Sequence, residues 1–246
     1  MASPAARKIA ASEVERARLP LEYLELSALV RSRRSIRRFS PEPISRQVLE
    51  ELVELASRAP SPHNRQPWRF AVLRGPRVKA RLAFAMGERL RADRSRDGDP
   101  AEQIEADVAR SRARIEGAPV ALVAALSMRD MDSYADGPRS EAERMMAVQA
   151  VAAAVQNMLL LAHARGLGAC WMCAPLFCPD TVRAALELPE DWEPQALVTL
   201  GRADGPGRDR PRRSVEQTAI WLEDSDPCFS ADSPPPPLAA NPSIRR

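Results

Sequence analysis

Arg31-Ser32-Arg33-Arg34-Ser35-Ile36-Arg37-Arg38-Phe39 puts five arginines and two serines on one short stretch of chain. Guanidinium forks and hydroxyl donors at this density suit a phosphate, because hydrogen bonds to an ionised acceptor are about twice as strong as neutral ones. A solvated basic segment or a nucleic-acid arm has the same composition. What lies on either side has to decide between them.

Downstream, Ala59-Pro60-Ser61-Pro62-His63-Asn64-Arg65-Gln66-Pro67-Trp68-Arg69-Phe70 falls between an expected helix and an expected strand. Three prolines within it stiffen the backbone, and Ser61, His63, Asn64 and Gln66 put hydrogen-bonding groups on a loop of little freedom. Such a loop suits ligand contact; a plain helix-to-strand connection with Trp68 in the core is the competing interpretation. The helix before it opens at Pro43 and Ser45, with Val48, Leu49, Leu52, Val53 and Ala56 at helical spacing up to Pro60. Phe70 to Leu73 reads as a buried strand, followed by helices near Arg77 to Arg91 and Ala101 to Ile115 and a central strand from Val120 to Leu126.

Ser140 and Glu143 have capping-box spacing, so a helix is expected from Glu141 for about six turns to Arg165, where Gly166 and Gly168 end it. Ala169 to Cys173 and Ala196 to Leu200 are two further strands around a helix near Thr181 to Leu186, and Ser214 with Gln217 caps a last short helix. The mixture argues for a layered α+β domain over 23–224, between a loose segment 1–22 and a proline-rich, unstructured tail 225–246.

The 246 residues, 45% of them apolar, can bury one sizeable core. A net charge of +3 is too balanced to make the whole surface a polyanion partner. Lys8 and Lys79 are the only lysines, an arginine bias that genome composition explains as readily as function. The first residues lack the apolar core of a secretory signal, so a reduced, cytoplasmic protein is expected. The uncharged run Met145 to Ala164 has the length of a membrane span, but Gln149, Gln156, Asn157, His163 and many alanines favour a helix buried between protein surfaces.

Taken together, RRSIRRF, PSPHNRQPW, Gly166-Leu167-Gly168-Ala169-Cys170-Trp171-Met172, Leu200-Gly201 and the basic run Arg208 to Arg213 resemble the FMN-dependent nitroreductase family over about residues 25 to 222. The resemblance implies a three-layer α/β/α fold, a mixed, mostly antiparallel sheet and an intertwined homodimer. It implies that Arg33, Arg34, Ser35 and Arg37 hold the flavin phosphate, ribityl chain and pyrimidine edge, with Arg210 and Arg212 as further phosphate ligands. Ser61, Pro62, His63, Asn64 and Gln66 match the loop that covers the flavin of the other subunit. Trp171, Met172, Cys173 and Ala174 match the segment beside the reactive N5 edge, where many relatives carry a Glu-Gly pair; a backbone N–H there does not depend on the side chain. No metal is implied, and NAD(P)H is a candidate electron donor.

Within the family, the helix and strand around Ile104 to Pro119, Met131-Asp132-Ser133-Tyr134, Gly166 to Trp171 and Leu188-Pro189-Glu190-Asp191-Trp192-Glu193-Pro194 resemble the flavin domain fused to the glutamate ligase of coenzyme F-420 biosynthesis. That resemblance implies reduction of a dehydro-deazaflavin precursor, with Arg65, Arg139 and Arg144 lining a basic groove for a bulky anionic substrate. A general NAD(P)H-dependent nitroaromatic or quinone reductase is the alternative, and a non-catalytic anion or nucleic-acid binding module stands as a different class. A flavin-destroying synthase of the same fold is disfavoured by PHNRQPW. In the flavin readings Arg37 is the candidate cation near N1, where a charge at 4 Å favours the reduced form by about 1 to 4 kcal/mol depending on the dielectric.

Cys170-Trp171-Met172-Cys173 has the spacing of a dithiol pair, but within an expected strand residues three apart face opposite ways. Cys178 and Cys228 complete no compact zinc tetrad. Gly166-Leu167-Gly168 follows a helix rather than a strand, against a dinucleotide fingerprint, and His163 reads as a satisfied core or interface histidine.

Overall fold

A computed structural model describes residues 20–222. These residues fall into two units, one ending at residue 208 and the other beginning at residue 209. The expected loose ends therefore fall almost wholly outside the described residues. In chain order the first unit contains α1 (Leu21–Ser32), α2 (Arg46–Ala56), β1 (Trp68–Leu73), α3 (Pro76–Arg96), α4 (Ala101–Glu116), β2 (Val120–Leu126), α5 (Gly137–Ala164), β3 (Leu167–Met172), α6 (Pro179–Leu186) and β4 (Glu193–Arg202).

The strands form one sheet in the order β1-β2-β4-β3, every neighbour antiparallel. All seven residues of β2 are buried, as a strand covered on both faces requires. Alternation sorts them. Val120, Leu122, Ala124 and Leu126 meet α5 and α2, through Val151, Val155, Met158 and Leu49. Ala121 and Val123 meet α3 and α6, through Leu82, Met86 and Val182. Helices on both faces give the three-layer α/β/α arrangement expected, and each large core residue such as Leu122 contributes about 1.5–3 kcal/mol by burial.

Ser45 caps α2, its hydroxyl accepting from Val48 N–H at 3.3 Å. The start of α5 differs from expectation. Asp136, not Ser140, is the cap, accepting from Arg139 N–H, and Gly137 and Pro138 open the helix. Ser140 Oγ instead donates to the Tyr134 carbonyl, and Glu143 is 1% exposed, about two turns inside the helix. The Ser-x-x-Glu spacing misleads because Asp136-Gly137-Pro138, starting four residues earlier, is the stronger start, with proline pre-set for the first turn. At the other end Gly166 takes φ 73°, the left-handed closure expected there.

Helix α5 is long and apolar enough to cross a membrane, but its buried face, Ala147, Ala150, Val151, Ala154, Val155, Met158 and Ala162, lies on the sheet. Lys79, 6% exposed, donates to the carbonyls of Ala118 and Glu116 at the end of α4. Burial pulls its pKa below the usual lysine value.

The described part of the second unit carries a short 3-10 turn, Val215–Gln217, with Ser214 and Gln217 forming the expected reciprocal cap.

Candidate flavin site

The basic segment is built into the sheet. Ser35 pairs in parallel with Ala169 on β3, and Ile36 N–H donates to the Ala169 carbonyl at 2.9 Å. Phe39 pairs with Ala203, and Ser40 N–H donates to the Arg202 carbonyl at 3.0 Å. Two glycines that face each other across β3 and β4, Gly168 and Gly201, make this approach possible. A Cβ on Gly168 would lie 2.8 Å from the Ile36 side chain, and one on Gly201 2.8 Å from Phe39 Cβ. By its place after the long helix Gly168 reads as a helix terminator; in the fold it opens a cradle for Ile36.

The arginines of the segment divide by role. Arg34 Nη1 donates to the Arg31 and Arg33 carbonyls at 2.5 and 2.9 Å, so it also braces the turn. Among the described residues Arg33 and Arg37 have no carboxylate partner. Both lie close enough to Cys170 for their charges to act on it, although burial dominates and pushes that thiol's pKa up. Arg37 is exposed. Ser32 Oγ meets His163 Nε2 at 2.8 Å, tying the end of α1 to α5 just before the arginines begin and giving His163 the partner expected of it.

Strand β3 ends at Met172, so Cys173 lies just beyond it at the start of a 3-10 turn, Ala174–Phe177, rather than within the strand as expected. Cys170 is buried and Cys173 exposed. Four residues along β3, about 13 Å at ~3.3 Å each, separate Ala169 from Cys173. One elongated ligand can reach from the basic segment to the Cys173 backbone. Trp171 Nε1 is buried with no hydrogen-bond partner, which costs about 1–3 kcal/mol unless an acceptor arrives. Two arginines without acidic partners at one end and an orphaned donor near the other fit an anionic, elongated cofactor carrying carbonyl and ring acceptors.

The loop Ser61–Gln66 stands elsewhere. It precedes β1, while Cys173 follows β3, and these strands are opposite edges of the sheet, three intervals or about 14 Å apart at ~4.8 Å per strand. His63, Asn64 and Gln66 take φ of 47°, 55° and 50°, left-handed values that cost non-glycine residues about 1–3 kcal/mol each, least for asparagine. Ser61 Oγ accepts from Gln66 N–H at 3.0 Å, and Arg69 Nη1 donates to the Gln66 carbonyl at 3.0 Å. Strain held this firmly points to a functional loop.

The three arginines assigned to substrate are all ion-paired. Arg65 pairs with Asp132 at 2.5 Å; Arg139 pairs with Asp136 and lies 5.0 Å from the Tyr134 ring centroid; Arg144 pairs with Glu193. Arg65 and Arg144 share one end of the sheet, where β1 and β4 begin and β2 ends, as the pairing of Trp68 with Leu126 and of Leu126 with Glu193 shows. Arg210 and Arg212 belong to the second unit, where Arg212 Nη1 donates to the Arg210 carbonyl at 3.4 Å. Among the described residues no cluster of His, Cys, Asp and Glu is arranged for a metal ion.

A helix-covered antiparallel sheet, with an arginine segment stitched to its edge strand and polar loops at one end, defines a layered α/β protein built to hold an elongated anion. The chain belongs to the nitroreductase family, whose model matches residues 30–202. A Thermus thermophilus protein described as NADH dehydrogenase is 32% identical over 225 residues, covering 82% of this chain and 98% of its own. The 5,6-dimethylbenzimidazole synthase of Rhodospirillum rubrum is 31% identical over 182 residues, covering 72% and 81%. Among solved structures, a nitroreductase from Desulfovibrio desulfuricans in complex with FMN is 27% identical, with a TM-score of 0.61, covering 80% of this chain and 96% of that one.

Proposed function

We propose that this FMN-dependent oxidoreductase takes hydride from a reduced nicotinamide nucleotide and delivers it to a small planar electrophile such as a nitroaromatic or quinone. When bound, FMN supplies the hydride chemistry at its N5 edge. Arg33, Arg34 and Ser35 are assigned to its phosphate and ribityl arm, and Arg37 to the pyrimidine edge, where its charge favours the reduced form. The backbone of Cys173 and Ala174 is assigned to N5, with Trp171 and Met172 beside the ring. No side-chain acid or base is required of the protein.

The observation that carries the choice of acceptor is the pairing of Arg65, Arg139 and Arg144 with Asp132, Asp136 and Glu193. Neutralised in place, they offer little attraction to a bulky anion and suit a small, weakly charged acceptor. A nicotinamide donor is supported by the Thermus thermophilus relative, described as NADH dehydrogenase.

The site is further proposed to be shared by two chains. The loop Ser61–Gln66 and the β3 edge lie on opposite sides of the sheet, which suits a loop that covers the flavin of a partner. Helix α1 supports this, since none of its residues is buried although Leu26 and Val30 are 55% and 52% exposed.

Reduction of a dehydro-deazaflavin precursor is the second reading. It is supported by two of the stretches that carry that resemblance being tied to the same end of the sheet: Asp132 pairs with Arg65, just before β1, and Asp191 accepts from Ser127 Oγ, just after β2, at 2.6 Å. Assay of the FMN-loaded protein with NADH, nitrofurazone and the dehydro precursor separates the two. Turnover of nitrofurazone alone is expected, and turnover of the dehydro precursor alone overturns the first reading.

A further inference from the structure

We infer that the segment Ser127–Asp132 is a buttress that holds the Ser61–Gln66 loop in its ligand-contacting shape, with Asp132 as a positioning residue that acts through Arg65. The inference rests on the assignment of that loop to the flavin. Three left-handed residues within four positions, none of them glycine, would relax if the loop were held by its own hydrogen bonds alone. Three contacts from the neighbouring segment oppose relaxation. Ser127 N–H donates to the Pro67 carbonyl at 2.8 Å, immediately after the loop. Asp130 accepts from Arg69 Nη2 at 3.2 Å, while Nη1 of the same guanidinium holds the Gln66 carbonyl. Asp132 accepts from Arg65 Nη2 at 2.5 Å, between the left-handed Asn64 and Gln66.

A brace works only if it is itself fixed, and this one is fixed at both ends. Ser127 is 1% exposed and donates to Asp191 at 2.6 Å. At the other end the backbone N–H of Asp132 donates to Oε1 of Glu143 at 3.2 Å. Glu143 is 1% exposed on α5, the helix packed across the sheet. A continuous path thus runs from the core helix through Glu143 and the Asp132 backbone to the Asp132 carboxylate, Arg65 and the strained loop. This gives Glu143, otherwise an odd residue to bury, a function, and it assigns the Arg65 charge to the loop rather than to substrate.

The test uses the full chain stripped of FMN and measures FMN affinity by fluorescence quenching, the visible circular dichroism of the bound flavin, and the thermal midpoint of the apoprotein. Asp132→Asn is expected to weaken FMN about tenfold and alter the dichroism while leaving the midpoint in place, because the pair is half-exposed. Asp132→Glu should recover part of the loss. Arg65→Gln should match Asp132→Asn, and the double variant should be no worse than either, the sign of one shared interaction. Amide exchange across Ser61–Gln66 should quicken in Asp132→Asn apoprotein, a readout that needs no flavin. If Asp132→Asn keeps wild-type affinity, dichroism and exchange while Asn64→Ala weakens FMN, the loop meets the flavin but the buttress does not exist. If His63→Ala and Asn64→Ala also leave affinity and dichroism unchanged, the loop's assignment to the flavin falls and takes this inference with it.

Discussion

The carbonyl of Ala169 accepts the Ile36 N–H at 2.9 Å, so the arginine segment runs as a fixed neighbour of β3 and not as a free basic arm. Its approach depends on Gly168, where a Cβ would fall 2.8 Å from Ile36. Gly168→Ala is therefore expected to push the segment off the strand, costing about 1–3 kcal/mol by overpacking. Thermal unfolding of the apoprotein and an FMN titration check it; both stability and affinity should fall.

Arg37 lies beside Cys170, exposed and without a carboxylate partner among the described residues. Placed at the pyrimidine edge, its removal in Arg37→Ala should lower the flavin's two-electron potential by tens of millivolts, since about 30 mV corresponds to 1.4 kcal/mol. A potentiometric titration of the fully loaded variant reads this directly.

The three cysteines of the described region should differ sharply in reactivity. Burial raises the pKa of Cys170 and Cys178, the nearby arginines opposing it only partly, so neither thiolate is accessible at neutral pH. Cys173 is exposed. Brief alkylation of the native protein followed by peptide mapping is expected to modify Cys173 and spare the other two, and unfolding should release them.

The Ser127 hydroxyl, with Arg129 assisting, holds the Asp191 carboxyl below its usual 3.8. A depressed carboxylate contributes stability above its unfolded pKa and loses it as pH falls through the lower folded value. Asp191→Asn should therefore flatten the loss of stability on acidification below about pH 4, seen in denaturant midpoints measured across that range.

Helix α1 presents Leu26 and Val30 to solvent. If a second chain covers them, Leu26→Glu should shift the protein to monomer in sedimentation velocity and lower its flavin content, while leaving the apoprotein fold intact because no α1 residue is buried.

Much of this architecture is legible in the amino-acid order. Val120 to Leu126 reads as a doubly covered strand because seven successive apolar residues leave no solvent face, and the structure places it between two layers of helices. The helix before Pro60 is equally plain, since Ser45 caps it and its apolar spacing is regular. Glu143 was misread because a local capping pattern carries no information about the loop at Asp132, eleven residues earlier, which is what it serves. The facing pair Gly168 and Gly201 was missed for the same reason: its meaning is a close approach between strands and a distant segment, visible only once register is known. Arg65, Arg139 and Arg144 were read as free charge because their acidic partners are recognisable only in space.

The arginine segment on β3 is expected to grip the phosphate of FMN. Quenching titrations of the apoprotein with FMN and with riboflavin, which lacks that phosphate, measure the grip. FMN is expected to bind at least about a hundredfold more tightly, the order of two charge-assisted contacts, and the gap should shrink in Arg33→Ala. Equal affinity for the two flavins would mean that these arginines do not hold the phosphate.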